Sequence, residues 1–215
     1  MITGDTVPRT RTVIEATVAG GLADGLMRFA TSKGANQKTL ADRAGIDLED
    51  LKDPDCRIPL VNYVALMRAG QDMCNDPALA LHYAEEIDLS ELSVVGLLTH
   101  ACETMLDAFV QIARYNRLVT EHNGAGAAER FQLRPAGDGL LWLIDNRENP
   151  NEFPEATEGS FARFVCGPRR FDQTAFCTAV HVTHAAPAYR SEYDRIFRAP
   201  IFFESDRNAL LIDAS

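Results

Sequence analysis

The hydrophobic pattern of this chain changes period near residue 124, and that break constrains the fold more than any other feature. From Thr12 to about Glu121, apolar residues recur at helical spacing in segments near residues 11–31, 36–44, 60–74, 77–86, 93–101 and 104–121. Such spacing gives each helix one apolar stripe to bury. Asp76-Pro77 reads as an N-cap followed by proline at the first helical position, and Gly34 and Gly45 read as left-handed helix ends. After the break, Arg130-Phe-Gln-Leu-Arg-Pro135 and Leu140-Leu-Trp-Leu-Ile-Asp145 flank Ala136-Gly-Asp-Gly139, which predicts a β-hairpin. With a four-residue loop, Pro135 faces Leu140, Leu133 faces Trp142 and Phe131 faces Ile144, while Gln132 and Arg134 occupy the other face.

Asn123-Gly-Ala-Gly-Ala127 and residues 146–154 have loop composition, and a helix is expected near 155–166. Ala179-Val-His-Val-Thr-His184 reads as a strand, Tyr189 to Phe197 as a short helix, and Ile201-Phe-Phe-Glu204 and Ala209-Leu-Leu-Ile212 as further strands. The expected fold class is α+β: a helical amino-terminal half, then a small antiparallel sheet with one or two interspersed helices. Residues 1–11 are expected to be a flexible amino terminus and residues 12–215 a domain. Because the chain stops at Ser215 just after the last strand, more chain is expected to follow in the natural protein.

Charge limits the partners. Lys plus Arg number 21 against 31 Asp plus Glu, a net charge of -10, so these residues repel a phosphate backbone and are not expected to bind DNA themselves. Apolar stretches such as Leu92 to Leu98 fall far short of a membrane helix, and Met1 to Thr12 lacks a signal-peptide pattern; a soluble, cytoplasmic protein with no membrane partner is expected. The 5 cysteines are widely spaced without a CxxC pair, which indicates neither a disulfide framework nor a zinc ribbon.

Motifs that would carry catalysis are missing. There is no GxxxxGK[ST] phosphate loop and no GxSxG elbow. His181 and His184, three apart on a strand, point to opposite faces, and the His100/Glu103 pair has no second HxxE or ExxH to complete a metal site; no metal and no cofactor are expected. Thr39-Leu-Ala-Asp-Arg-Ala-Gly-Ile46 has the form of the first helix and turn of a helix-turn-helix, but the acidic, proline-broken Asp47-Leu-Glu-Asp-Leu-Lys-Asp-Pro-Asp55 cannot read bases, which leaves a packing role. Trp142, Phe161, Phe164, Tyr115 and Phe131 can line a cavity between helices and sheet, with Arg114, Arg117 or Arg163 as polar anchor. Each of them also reads as plain core or solvated surface. His100, in an otherwise apolar helix, completes the candidate ligand-binding set of His100, Tyr115, Phe131, Trp142, Phe161, Arg163 and Phe164.

Several segments in order carry a family resemblance. Gly45-Ile-Asp-Leu-Glu-Asp-Leu-Lys-Asp-Pro-Asp-Cys-Arg-Ile-Pro-Leu60 and Asn75-Asp-Pro-Ala-Leu-Ala-Leu81 are followed by Val95-Gly-Leu-Leu-Thr-His-Ala101, Thr104-Met-Leu-Asp-Ala-Phe109 and Ile112-Ala-Arg-Tyr-Asn-Arg-Leu118. His184-Ala-Ala-Pro187, Tyr193, Phe197, Pro200, Phe203 and Asn208-Ala-Leu210 close the series. Over about residues 12 to 213 the chain resembles the amino-terminal, arabinose-binding-like effector domain of AraC-type transcriptional regulators. The resemblance implies that residues 12–215 bind a small-molecule effector and oligomerise, as a homodimer, and control DNA binding through a carboxyl-terminal helix-turn-helix pair that these residues do not contain. It does not imply sugar as the effector. The order of elements is also similar to sensory domains of the haem-nitric-oxide-binding fold, which implies a cavity between the helices and the apolar sheet face; no haem is expected. Two rivals to the sensor expectation are an enzyme using a pocket Cys or His and a ligand-free dimerisation domain.

Overall fold

A computed structural model of the chain describes residues 16–53, 56–88, 90, 92–121, 129–170 and 175–213. The terminus expected at 1–11 and the loop expected at 123–127 lie outside the described residues.

The helices fall where the apolar stripes are. They are α1 (Gly20–Ser32), α2 (Gln37–Ala44), α3 (Leu60–Met73), α4 (Leu79–Glu86), α5 (Val94–His100), α6 (Met105–Tyr115), α7 (Glu155–Arg169) and α8 (Arg190–Phe197). In α1 the buried Leu22, Ala23, Leu26, Met27, Phe29 and Ala30 follow the three-to-four spacing, and in α3 so do Tyr63, Leu66, Met67 and Gly70. Their ends are punctuated by chemistry. Asn36 caps α2 by accepting from Thr39 N at 3.0 Å, and Gly45 closes it with φ at 64°. Gly34 also takes a left-handed φ, just past α1. Asp76 accepts from Ala78 N at 3.1 Å, but α4 begins only at Leu79, so Asp76-Pro77 forms the turn before the helix and not its first two positions. The segment after α2 makes a single 3-10 turn at Asp50–Lys52 in place of a second long helix, while Leu40, Ala41 and Ala44 of α2 are buried in packing.

The strands are β1 (Thr17–Ala19), β2 (Arg57–Pro59), β3 (Phe131–Gly137), β4 (Leu140–Asp145), β5 (Cys177–His181), β6 (Ile201–Phe202) and β7 (Ala209–Asp213). β1 and β2 pair antiparallel, so residues 17–19, expected inside the first helix, are a short strand instead. The main sheet runs β3-β4-β7-β5-β6. Its first three pairings are antiparallel, whereas β5 and β6 are parallel. The expected antiparallel sheet is present, with one parallel pair at its edge: α8 carries the chain back between β5 and β6, and such a crossover leaves two strands running the same way.

The hairpin register also differs from the expected one. Phe131 faces Asp145, Leu133 faces Leu143 and Arg134 faces Trp142, with an irregularity between Pro135 and Gly137. The turn is the two residues Asp138 and Gly139, both at positive φ, and Ala136 is accommodated as a bulge. One residue of slip moves a side chain to the opposite face. Trp142 therefore lies away from Phe131, beside His181 at a ring distance of 5.2 Å, on the sheet face that the helices leave uncovered.

Two cores result. Residues of α1, α2 and α3 pack around Leu26, Leu40 and Leu66, while α6, α7 and α8 cover the other sheet face around Phe109, Phe161 and Leu210. α4 joins them: Leu79, Ala80 and Tyr83 belong to the first core and Leu81 and Ala84 to the second.

Candidate functional site

A cavity of about 500 Å³ opens where the end of α4, the α5–α6 hairpin and the second half of α7 meet. Its apolar wall comes from Ile87, Met105, Ala108, Phe109, Ile112 and Phe164. Phe109 and Phe164 meet edge to face at 6.0 Å, an arrangement that holds both rings in place. The α5–α6 hairpin, which carries most of this wall, is built by two side-chain caps. Ser93 Oγ accepts from Gly96 N at 3.1 Å to start α5, and Thr104 Oγ1 accepts from Asp107 N at 3.1 Å to start α6.

The mouth is polar and internally balanced. Asp88 accepts from Ser90 N at 2.9 Å and Ser90 Oγ at 2.7 Å, and faces His100 Nε2 at 3.5 Å and Arg170 Nη1 at 3.7 Å. The Ser90 hydroxyl bond, against some desolvation, holds the Asp88 carboxyl below its ordinary range. Arg170 also donates to Glu85 O at 3.0 Å and Glu86 O at 2.7 Å, which fastens α7 to the carboxyl-terminal carbonyls of α4.

Of the seven residues expected from sequence, His100, Arg163 and Phe164 line this cavity. Phe131 stands behind it, its ring 5.1 Å from that of Phe164, and Phe161 is fully buried in the same core. Tyr115 packs at the edge of that core beside Arg114, whose guanidinium is 5.4 Å from its ring. Trp142 is on the other side of the sheet, for the reason of register given above.

Two polar clusters gather on the first half of α7 and carry no sequence motif. In one, the buried Asp145 carboxylate accepts from Arg130 through both oxygens at 3.0 Å each, from Arg147 Nε at 3.2 Å and from Thr157 Oγ1 at 3.0 Å. In the other, Glu158 Oε1 accepts from Tyr189 at 2.9 Å and Tyr193 at 2.6 Å, and His184 Nε2 lies 3.0 Å from the same Tyr193 hydroxyl. Burial pushes the Glu158 carboxyl up to about 7, although both tyrosine hydroxyls act against it. These clusters tie α7 to the sheet and to α8, so the helix that forms one wall of the cavity is held from both sides.

Among the described residues, no helix is long and apolar enough to cross a membrane. A family model for the arabinose-binding domain of AraC transcription regulators, the amino-terminal domain, matches residues 34–215. No curated protein matches the chain.

Proposed function

The chain belongs to the arabinose-binding, amino-terminal domain family of AraC transcription regulators, and from that premise we propose that it senses a small molecule in the 500 Å³ cavity and so controls a helix-turn-helix domain of the same regulator. The observation that carries the proposal is the cavity: an apolar, aromatic wall with polar groups gathered at one mouth is the usual form of a small-molecule site. Two of its walls differ in how they are held. α7 is anchored on both sides, whereas the α5–α6 hairpin turns on short caps, so an effector that prefers one hairpin placement shifts the balance between two packings. The family label does not extend to the effector. Sugar recognition needs convergent carboxylates or amides, and Asp88 at the mouth is already occupied by Ser90, His100 and Arg170.

A thermal-shift screen of the chain against sugars, amino acids, organic acids and other metabolites tests this reading, because a ligand of the native state raises its stability. A saturable shift from one chemical class is expected. Silence across all classes overturns it in favour of a domain that only assembles.

We further propose that the regulator is a homodimer joined through the outer face of the same hairpin. Val94, Leu97 and Leu98 on α5 and Leu106 and Val110 on α6 are each 37% to 58% exposed. With Leu118 they form an apolar area on the order of 500 Å², enough for the centre of a standard two-fold interface of about 800 Å² per partner. Leu97→Glu is expected to convert a dimer to a monomer in sedimentation equilibrium while the melting temperature changes little. A monomeric wild-type chain at high concentration sinks the proposal.

A further inference from the structure

We propose that the effector is an apolar molecule, an alkyl or aryl body held by burial and shape whose polar end stays in water at the mouth; this rests on the sensor reading above. Polar side chains that border the 500 Å³ cavity are already engaged by the protein. Thr99 Oγ1 donates to Gly96 O at 2.7 Å, Thr104 Oγ1 to Asp107 Oδ2 at 2.7 Å and Cys102 Sγ to Leu98 O at 3.3 Å, so these protons serve the α5–α6 hairpin.

Arg163 borders the same cavity, but its guanidinium belongs to a second space of about 20 Å³ that Tyr63, Arg130, Gly159 and Ser160 also line. There Nη2 donates to Ser160 Oγ at 3.4 Å, and a Cβ on Gly159 would stand 3.4 Å from Nη1. The other charges of the described lining residues are at the rim. Asp88 faces His100 and Arg170, the three side chains are 25%, 40% and 34% exposed, and Glu103 is exposed too. Charges so placed keep their water when a ligand enters behind them, whereas drawing them inward would cost desolvation.

Among the described residues the interior wall is therefore apolar, with Met105, Ala108, Phe109, Ile112 and Phe164 as its main surface. A site built on hydrogen bonds rejects an analogue that lacks one by several orders of magnitude, whereas an apolar wall discriminates by fit. Affinity then follows the apolar surface taken from water, about fourfold for each methylene. A cavity of about 500 Å³ lies in the range that encloses a drug-sized molecule, which leaves room for such a body.

The test titrates the full chain with straight-chain alcohols from butanol to decanol and compares octanol with octanamide and octanoate, by thermal shift and calorimetry. Arabinose, glucose, arginine and succinate are the polar arms. Kd is expected to fall about fourfold per added methylene until the cavity is full, and to differ less than tenfold among the three eight-carbon head groups. Binding should carry a negative heat-capacity change that grows with chain length. Ala108→Leu is expected to make affinity level off at shorter chains and Met105→Ala at longer ones; if one variant does not fold, the other decides. A Kd indifferent to chain length, a head-group preference of tenfold or more, or an unmoved levelling-off length in a folded variant overturns the proposal. A saturable response to a polar arm with the alcohols silent removes the apolar class and leaves the sensor reading; silence in every arm removes both.

Discussion

Replacing Asp145 by asparagine is expected to destabilise the fold by roughly 3–5 kcal/mol, the cost of breaking a buried ion pair from one side. The Asp145 side chain is 0% exposed, and those of Arg130 and Arg147 are 8% and 6% exposed. Asparagine keeps the size and one acceptor but leaves two guanidiniums facing each other without their shared anion. The same cluster holds the sheet to α7, since Arg130 also donates to Ala156 O at 3.1 Å and to Ser160 Oγ at 3.2 Å. Burial alone would raise the Asp145 pKa, but the two guanidiniums and their hydrogen bonds hold it down to about 2, against an ordinary 3.8. A depressed carboxyl contributes stability above the ordinary value and loses it as pH falls through the folded one. The wild type is therefore expected to lose stability between about pH 4 and 2 more steeply than Asp145→Asn. Urea titrations at pH 7 and across that acid window measure both effects, and a variant within 1 kcal/mol of wild type at pH 7 would show that the cluster is not structural.

How much of this was legible in the chain depends on how local each feature is. Helices α3 to α6 announce themselves by spacing, because one stripe of apolar residues is decided within a dozen positions. β1 and β2 are three residues each and pair across some forty positions, so no window contains their signal. The hairpin was legible as a hairpin and misread in register. Asp138-Gly139 is itself the strongest signal for a two-residue turn; a four-residue loop that includes Ala136 and Gly137 shifts the facing pairs by one and carries Trp142 to the other side of the sheet. The site divides in the same way. His100 and Phe164 belong to segments whose helical character is plain, and the structure brings them to one cavity with Arg163. The Asp145 and Glu158 clusters were invisible because each assembles residues from different elements, with separations such as 15 between Arg130 and Asp145 and 35 between Glu158 and Tyr193. A charged residue next to an apolar run reads as solvated until its partner is in place.

Filling the cavity is expected to abolish the response to the effector while sparing the fold. Ala108 lines the cavity from α6, next to Phe109 on the same wall. In Ala108→Trp the indole enters space that the wild type keeps for ligand, so the substitution does not overpack a closed core, the situation that costs 1–3 kcal/mol. Unliganded stability should hold or rise. The liganded comparison carries the large effect: at an effector concentration about 100-fold above Kd, the wild type gains about 2.7 kcal/mol and the variant gains none. The control is Leu97→Glu, whose side chain is 58% exposed on the hairpin's outer face and should leave the ligand-induced shift in place while it breaks the dimer. Opposite results from the two faces of one hairpin would separate sensing from assembly and make the hairpin the element through which one acts on the other. A full ligand shift in Ala108→Trp would place the effector elsewhere and remove the cavity from the mechanism.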